Sequence, residues 1–278
     1  MTLLATSTLL WAGSLLAGFL GALTGLGGGV VVVPLLALVF QVDLRYAAGA
    51  SLLSVIASSS GAAAAYVRDG VSNVRLGMFL EIATTLGAVA GAAAAAHVAT
   101  GAVAVIFGVV LLAAAVVSLR HPRERAPAER PDPLARALRL DGSYPTPGGI
   151  TAYPVRHVPA GFGLMFVAGA LSGLLGIGSG ALKVIAMDDV MSLPFKVSTT
   201  TSNFMIGVTA AASAGVYLAR GYLEPAIAAP VVLGVLPGAL LGARLLPRIQ
   251  SRALRLVFAG VIAALAVEMA YRGLTGRL

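Results

Sequence analysis

Two short glycine clusters and a few polar side chains set in apolar sequence are the places where this chain could do chemistry. The clusters are GLGGG at Gly25 to Gly29 and GIGSG at Gly176 to Gly180. Glycine admits backbone angles closed to other residues and allows close approach of a neighbour. A helix broken there leaves free N–H groups at the start of the next helical segment, where the dipole favours an anion. Two readings are open. Gly27, Gly28, Gly29, Gly178, Ser179 and Gly180 present N–H groups to an anionic ligand, or the glycines serve only tight helix crossings.

A second set is the run Ser198, Thr199, Thr200, Thr201, Ser202, Asn203 entering an apolar stretch, matched earlier by Ser51, Ser54 and Ser58 to Ser60. Hydroxyls and an amide are neutral donors that can hold a partly dehydrated oxyanion without trapping it. Ser198 to Thr200 read better as helix-capping residues, whereas Ser51 and Ser202 serve equally well as ligand donors or as interhelical hydrogen-bonding groups. The third set is charge within apolar sequence, where it is costly and therefore paired or functional: Glu81, Lys183, Asp188, Asp189 and Glu268. Lys183 can attract an anion, pair with Asp188 or snorkel to an interface. Glu81 is a candidate proton-coupling carboxylate, and Glu268 an interface residue.

Enzymatic chemistry finds little to work with. There is no cysteine, so thiolate metal sites, disulfides and cysteine nucleophiles are excluded. A dinucleotide fingerprint needs glycine where Val30 or Ala181 stands, and a nucleophile elbow around Ser179 needs glycine where Ile177 stands. The histidines are His97, His121 and His157; His97 falls in a loop and the other two in a polar linker, so no serine triad can be assembled. A GxxxxGK[ST] loop is missing, so direct use of ATP is not expected. The expectation is no enzyme, no cofactor and no metal.

These residues must be positioned by helices in lipid. Of 278 residues, 58% are hydrophobic and 11% charged, and mean hydropathy is +0.94; soluble domains carry about 25% charged residues. Tracts such as Leu9 to Phe40 and Val98 to Leu119 contain no Asp, Glu, Lys or Arg and can span a core about 30 Å thick. Met1 to Leu20 lacks the basic start of a secretory signal and reads as part of a retained first span. The positive balance belongs to loops at the bilayer and gives no reason to expect nucleic acid.

An offset of 151 residues lays Ala17 to Phe107 on Ala168 to Phe258 without a gap. In that register Gly25, Gly27 and Gly29 meet Gly176, Gly178 and Gly180, Ser51 meets Ser202, Arg45 meets Lys196, and GAVAG at 87–91 meets GALLG at 238–242. Repeats of this kind build transporter folds. The organisation expected is an N-terminal membrane repeat over 1–119, a basic, proline-rich cytoplasmic linker over 120–159 and a C-terminal membrane repeat over 160–278. Within the linker, Pro133 to Leu140 is a candidate short interfacial helix in an otherwise flexible segment. The basic clusters are Arg68 with Arg75, the linker, Lys183 with Lys196, and the arginines from Arg244 to Arg255. They share one side only if each half crosses an odd number of times, which makes the halves an inverted repeat. The fold class is therefore all-α integral membrane, with about eight to ten membrane segments and glycine-broken helices.

The motifs GALTGLGGGVVVVPLL at Gly21 to Leu36 with Ala50-Ser51, and GIGSGALKVIAMDDVMSLPFKVSTTTSNFMIGVTA at Gly176 to Ala210, resemble the TauE/SafE family of sulfite exporters, also described as membrane anion permeases. The resemblance covers both halves and omits only the linker. It implies movement of sulfite or an organosulfonate through two pseudo-symmetric halves with the substrate near their interface. This chain departs from the pattern at Ser179, where a third glycine is usual, and at Ile185, where a proline like Pro34 is expected and without which the second bend should be weaker. The combined expectation is a multi-pass carrier of a small anion in the cell membrane, working by alternating access, with a homodimer as an open option. An anion channel and an intramembrane enzyme are its rivals. Substrate contacts are expected from Gly27, Gly28, Gly29, Ser51, Gly178, Ser179, Gly180, Lys183, Thr201, Ser202 and Asn203.

Overall fold

The computed structural model describes residues 3–24, 28–68, 70–119, 132–146, 148–245 and 252–276. The first half supplies α1 (Leu3–Thr24), α2 (Gly29–Pro34), α3 (Leu44–Arg68), α4 (Val74–Ala94) and α5 (Thr100–Leu119). Then come the short α6 (Pro133–Ala137) and an antiparallel hairpin of β1 (Gly142–Thr146) and β2 (Gly149–Tyr153). The second half supplies α7 (Val158–Leu175), α8 (Gly180–Ile185), α9 (Phe195–Ala219), α10 (Pro225–Leu245) and α11 (Arg252–Thr275). Among the described residues, four helices are long and apolar enough to cross a membrane: Val74–Ala94, Val158–Leu175, Phe195–Ala219 and Pro225–Gly242.

The helices pair across the halves. α1 lies along α10 and α7 along α4, while α3 packs on α9 and α5 on α11. Each of the first two pairs joins the leading helix of one half to the fourth helix of the other, and glycines make the approach possible. A Cβ on Gly18 would strike the Val235 carbonyl, and one on Gly169 the Thr84 carbonyl. The partners in the two contacts are mates by the 151-residue offset, Gly18 with Gly169 and Thr84 with Val235. The same holds for Gly238 against the Leu15 carbonyl and Gly87 against the Phe166 carbonyl. Backbone contact through small residues is how helices associate where lipid provides no hydrophobic drive.

Corresponding helices run antiparallel to each other. Tyr46 and Gly49, in the opening turns of α3, meet Tyr222 just past the end of α9. At the other end Asn73, just past α3, donates its N–H to Thr201 Oγ1 near the start of α9 at 3.0 Å. Likewise Gly101 at the start of α5 faces Gly273 near the end of α11.

After each glycine cluster a short helix is continued by a π-helical turn, Leu35–Val39 after α2 and Ala186–Val190 after α8. The two turns are related by the same 151-residue offset. The second π turn forms after Ile185, where the first half has Pro34. In the second half α7 ends at Gly176, whose φ of 73° is left-handed, and Gly178 (75°) and Ser179 (47°) follow in the same region. Ser179 thus occupies a conformation that suits the glycine it replaces.

The linker is more ordered than its composition suggests. From Asp132 onward it folds back on the membrane helices: Asp132 accepts from Leu134 N and Val158 N, and Asp141 accepts from Val155 N. Asn73 caps α4 by accepting from Leu76 N and donates its amide to the Leu140 carbonyl and to Tyr153 Oη. Ala135, Leu140, Tyr153 and Val155 are buried with Leu76, Leu80, Met187 and Met191. Ordering follows from this apolar face, which pairs a polar exterior with a satisfied interior.

Candidate functional site

The two glycine segments converge on the crossing of α3 and α9. A Cβ on Gly29 would lie 2.8 Å from Ser51 Oγ on α3 and 3.2 Å from Ile177 Cα in the second cluster. One on Gly178 would lie 2.8 Å from Ile206 on α9 and 3.1 Å from Val55 on α3. Val55 and Ile206 are themselves mates by the 151-residue offset. The glycines therefore do permit close packing, and the same packing brings backbone from both halves to one place.

Around that crossing the predicted residues fall into groups. Ser51 is fully buried and its hydroxyl has no hydrogen-bond partner; Ser179 is in the same condition. Ser202 is buried and donates to the Gly180 carbonyl at 3.2 Å, tying α9 to the start of α8. Thr201 accepts from Asn73 N and so helps hold the loop before α4. Asn203 is half-buried on the same helix, and Gly28 and Gly29 are buried. Gly27 lies outside the described residues. Thr199 and Thr200 donate back to carbonyls of their own helix, as do Ser54, Ser58, Ser59 and Ser60. Those hydroxyls are spent on the backbone.

Lys183 is the feature that stands apart. The sequence groups it with Lys196 in a basic cluster at the membrane surface, but its side chain is 0% exposed. Its ion-pair partner is Glu81, with Nζ 3.8 Å from Oε2. Between them Thr209 takes a hydrogen bond from Nζ at 2.5 Å and gives one to Glu81 Oε1 at 2.6 Å, and Thr85 donates to the same oxygen at 3.2 Å. Glu81 Oε2 is buried and accepts no hydrogen bond. The three elements are brought together by the helix exchange: α4 of the first half carries Glu81 to α8 and α9 of the second.

Sequence reasoning found Lys183 and Glu81 singly but missed their pairing, and it missed Thr209, Thr85 and Asn73. One signal was present. The offset mates of Lys183, Thr209 and Glu81 are Val32, Ser58 and Val232, so an acid and a base depart together from an otherwise apolar repeat. No comparable signal marks Thr209 or Asn73. Glu268, expected at an interface, pairs with Arg272 at 2.7 Å with both side chains partly exposed. His97 lies exposed in the turn after α4.

The comparisons with known proteins agree with this picture. The chain is 27% identical over 267 residues to a protein named probable membrane transporter protein YunE of Bacillus subtilis, covering 94% of this chain and 96% of that protein. It is 24% identical over 236 residues to probable membrane transporter protein YdhB of the same organism, covering 84% and 86%. No solved structure matches it. The family described as sulfite exporter TauE/SafE matches residues 10–269, nearly the whole chain, and the protein belongs to that family of membrane transporters.

Proposed function

We propose that the protein is a secondary carrier that moves a small oxyanion, sulfite or an organosulfonate, across the cell membrane by alternating access. The observation that carries this reading is Lys183, a cation closed off from solvent one turn after the left-handed stretch Gly176 to Ser179. An enclosed ammonium at membrane depth attracts an anion, and hydroxyl and N–H donors around it replace water without holding the ligand too firmly. In this reading the backbone at Gly27 to Gly29 and Gly178 to Gly180 and the side chains of Ser51, Ser179, Thr201, Ser202 and Asn203 contribute donors, and Lys183 provides the charge. The Ser51 and Ser179 hydroxyls are buried without a partner, as are those of Ser14, Ser72, Ser172 and Ser198.

The chain is read as a multi-pass protein whose halves form an inverted repeat. Support comes from the antiparallel packing of α3 on α9 and of α5 on α11, each helix paired with its own mate. The domain boundaries at 119 and 159 follow the same reading. The end bearing Arg75, Lys196 and the linker is placed in the cytoplasm by its positive charge.

Uptake of radiolabelled sulfite, methanesulfonate and sulfate into proteoliposomes tests the reading. Saturable, trans-stimulated flux of sulfite or methanesulfonate that falls at least tenfold in Lys183→Met and in Gly29→Val is expected. Flux that does not saturate identifies a channel. No flux in protein shown to be folded removes the oxyanion assignment.

A further inference from the structure

We infer that Glu81 carries a proton for each anion transported, exchanging places with the substrate as the counter-charge of Lys183. The inference rests on the carrier reading above and deepens it.

Charge balance in the enclosed site calls for a proton. The set of buried Lys183, Glu81 and Thr209 with half-buried Thr85 is neutral overall, with a single cation and a single carboxylate. A monovalent anion arriving at Lys183 in the same enclosed place would leave one uncompensated negative charge, which a low-dielectric interior penalises by several kcal/mol. A proton on Glu81 cancels it. The step balances as written: the Glu81 carboxylate takes a proton from the aqueous side and becomes the neutral acid, its ion pair with Lys183 is released, and the anion pairs with Lys183 instead. Oε2 is the oxygen available to receive that proton, because it is buried and accepts no hydrogen bond, whereas Oε1 is occupied by Thr209 and Thr85. The neutral acid loses its attraction to Lys183 but keeps its bonds to the two threonines.

A purely structural ion pair is the competing explanation, and the protein contains its own control. The mates of Lys183, Thr209 and Glu81 are Val32, Ser58 and Val232, and there the same helix exchange is built around α2, α3 and α10 without a charge. The packing does not need the ion pair. Apolar groups usually replace such pairs at no loss of stability, so an ion pair retained at one of two equivalent places calls for a role other than packing.

No second titrating group competes for the assignment. Of the elements packed on α4, α7 carries no titratable side chain, and α9 carries Lys196 in its exposed first turn and Tyr217 near its far end, where the hydroxyl donates to the Gly173 and Leu174 carbonyls. The linker brings Asp141, Tyr144 and Tyr153 to the opening of α4, where Asn73 binds Tyr153. On the side of Lys183, α5 has no charged residue, and Asp188 and Asp189 lie in the π turn beyond α8. Among the described residues Glu81 forms its ion pair with Lys183.

The experiment uses the full chain in proteoliposomes with methanesulfonate and, separately, sulfite. Methanesulfonate stays fully ionised and carries no proton of its own. One proton per monoanion moves no net charge. Wild-type methanesulfonate uptake should therefore ignore a clamped membrane potential and should reach about tenfold accumulation for each pH unit of inward proton gradient. Glu81→Gln should still exchange labelled for unlabelled anion, at an altered rate, but should accumulate none under the same gradient. Glu81→Asp, which keeps a titratable group, should restore the accumulation ratio. Wild-type flux driven by potential, or Glu81→Gln accumulating as wild type does, overturns the inference while leaving the carrier intact. If sulfite alone is carried, the Glu81→Gln arm decides, since a proton borne by bisulfite itself would persist there. Absence of any flux in folded wild type instead removes the carrier reading, and this inference with it. The potential arm needs no variant, so a Glu81→Gln protein that fails to fold leaves the test standing.

Discussion

At the scale of single residues, the stability of the site should be dominated by what remains when one partner is removed. Lys183→Met strands a buried carboxylate beside Thr209 and should cost about 3 kcal/mol or more. Glu81→Leu added to it leaves an apolar arrangement like the Val32 and Val232 one and should recover most of that loss. Thermal unfolding midpoints in one detergent measure both; a double variant that loses the sum of what Lys183→Met and Glu81→Leu lose singly would show that the two charges are not coupled. Ser179 offers an opposite trade. Its φ of 47° costs a non-glycine residue roughly 1 kcal/mol or more, so Ser179→Gly should raise the midpoint. Its buried hydroxyl has no partner in the protein, so the same change should weaken apparent substrate affinity in the uptake assay. A variant more stable and equally active would take Ser179 out of the substrate contacts.

At the scale of elements, the packing depends on glycine at places that come in mates. Gly18→Leu and Gly169→Leu each drive a side chain into a carbonyl of the partner helix, Val235 in one case and Thr84 in the other. Because the contacts correspond, the two variants should lose folded protein to a similar degree by size-exclusion chromatography, whereas Gly163→Leu, with open space around it, should not. Much of this was legible in the sequence, since the repeat register and its glycines give the mates directly. The exchange of α4 and α10 between halves was not legible, because a repeat shows which helices are equivalent and says nothing of which ones touch. For that reason Glu81 and Lys183, 102 residues apart, read as separate charges. The π turn after Ile185 was hidden too, because no proline marks it. The linker hairpin was missed because its order comes from docking. Tyr153 reports that docking, for burial pushes its phenol up to about 12 from the ordinary value near 10. The docked state holds the proton more tightly, so it is fully favoured below pH 10 and loses stability as pH rises from about 10 to about 12. Titration of tyrosine absorbance should show a phenol that ionises near pH 12, and that component should be lost in Tyr153→Phe.

At the scale of the molecule, the two ends of the helix bundle differ in charge and in what covers them. Asn73 anchors the hairpin at one end through Leu140 and Tyr153. Its mate by the 151-residue offset is Glu224, which lies exposed after α9 at the other end, next to Tyr222. If α3 and α9 cross the bilayer, these mates must face opposite compartments, and that opposition is what an inverted repeat means. The absence of cysteine from the chain makes the point simple to test, because each introduced thiol is unique. Ile150, 82% exposed at the hairpin, reports the side of Asn73, and Glu224 reports its own. A membrane-impermeant maleimide added to intact cells should label Glu224→Cys at once and Ile150→Cys only after the membrane is opened, with the hairpin, flanked by Arg136, Arg139 and Arg156, inside as positive charge requires. The reverse pattern would keep the inverted repeat and turn the molecule over. Labelling of both sites from one face would mean that α9 does not cross, and a site enclosed between its two ends would then have no second compartment to open to.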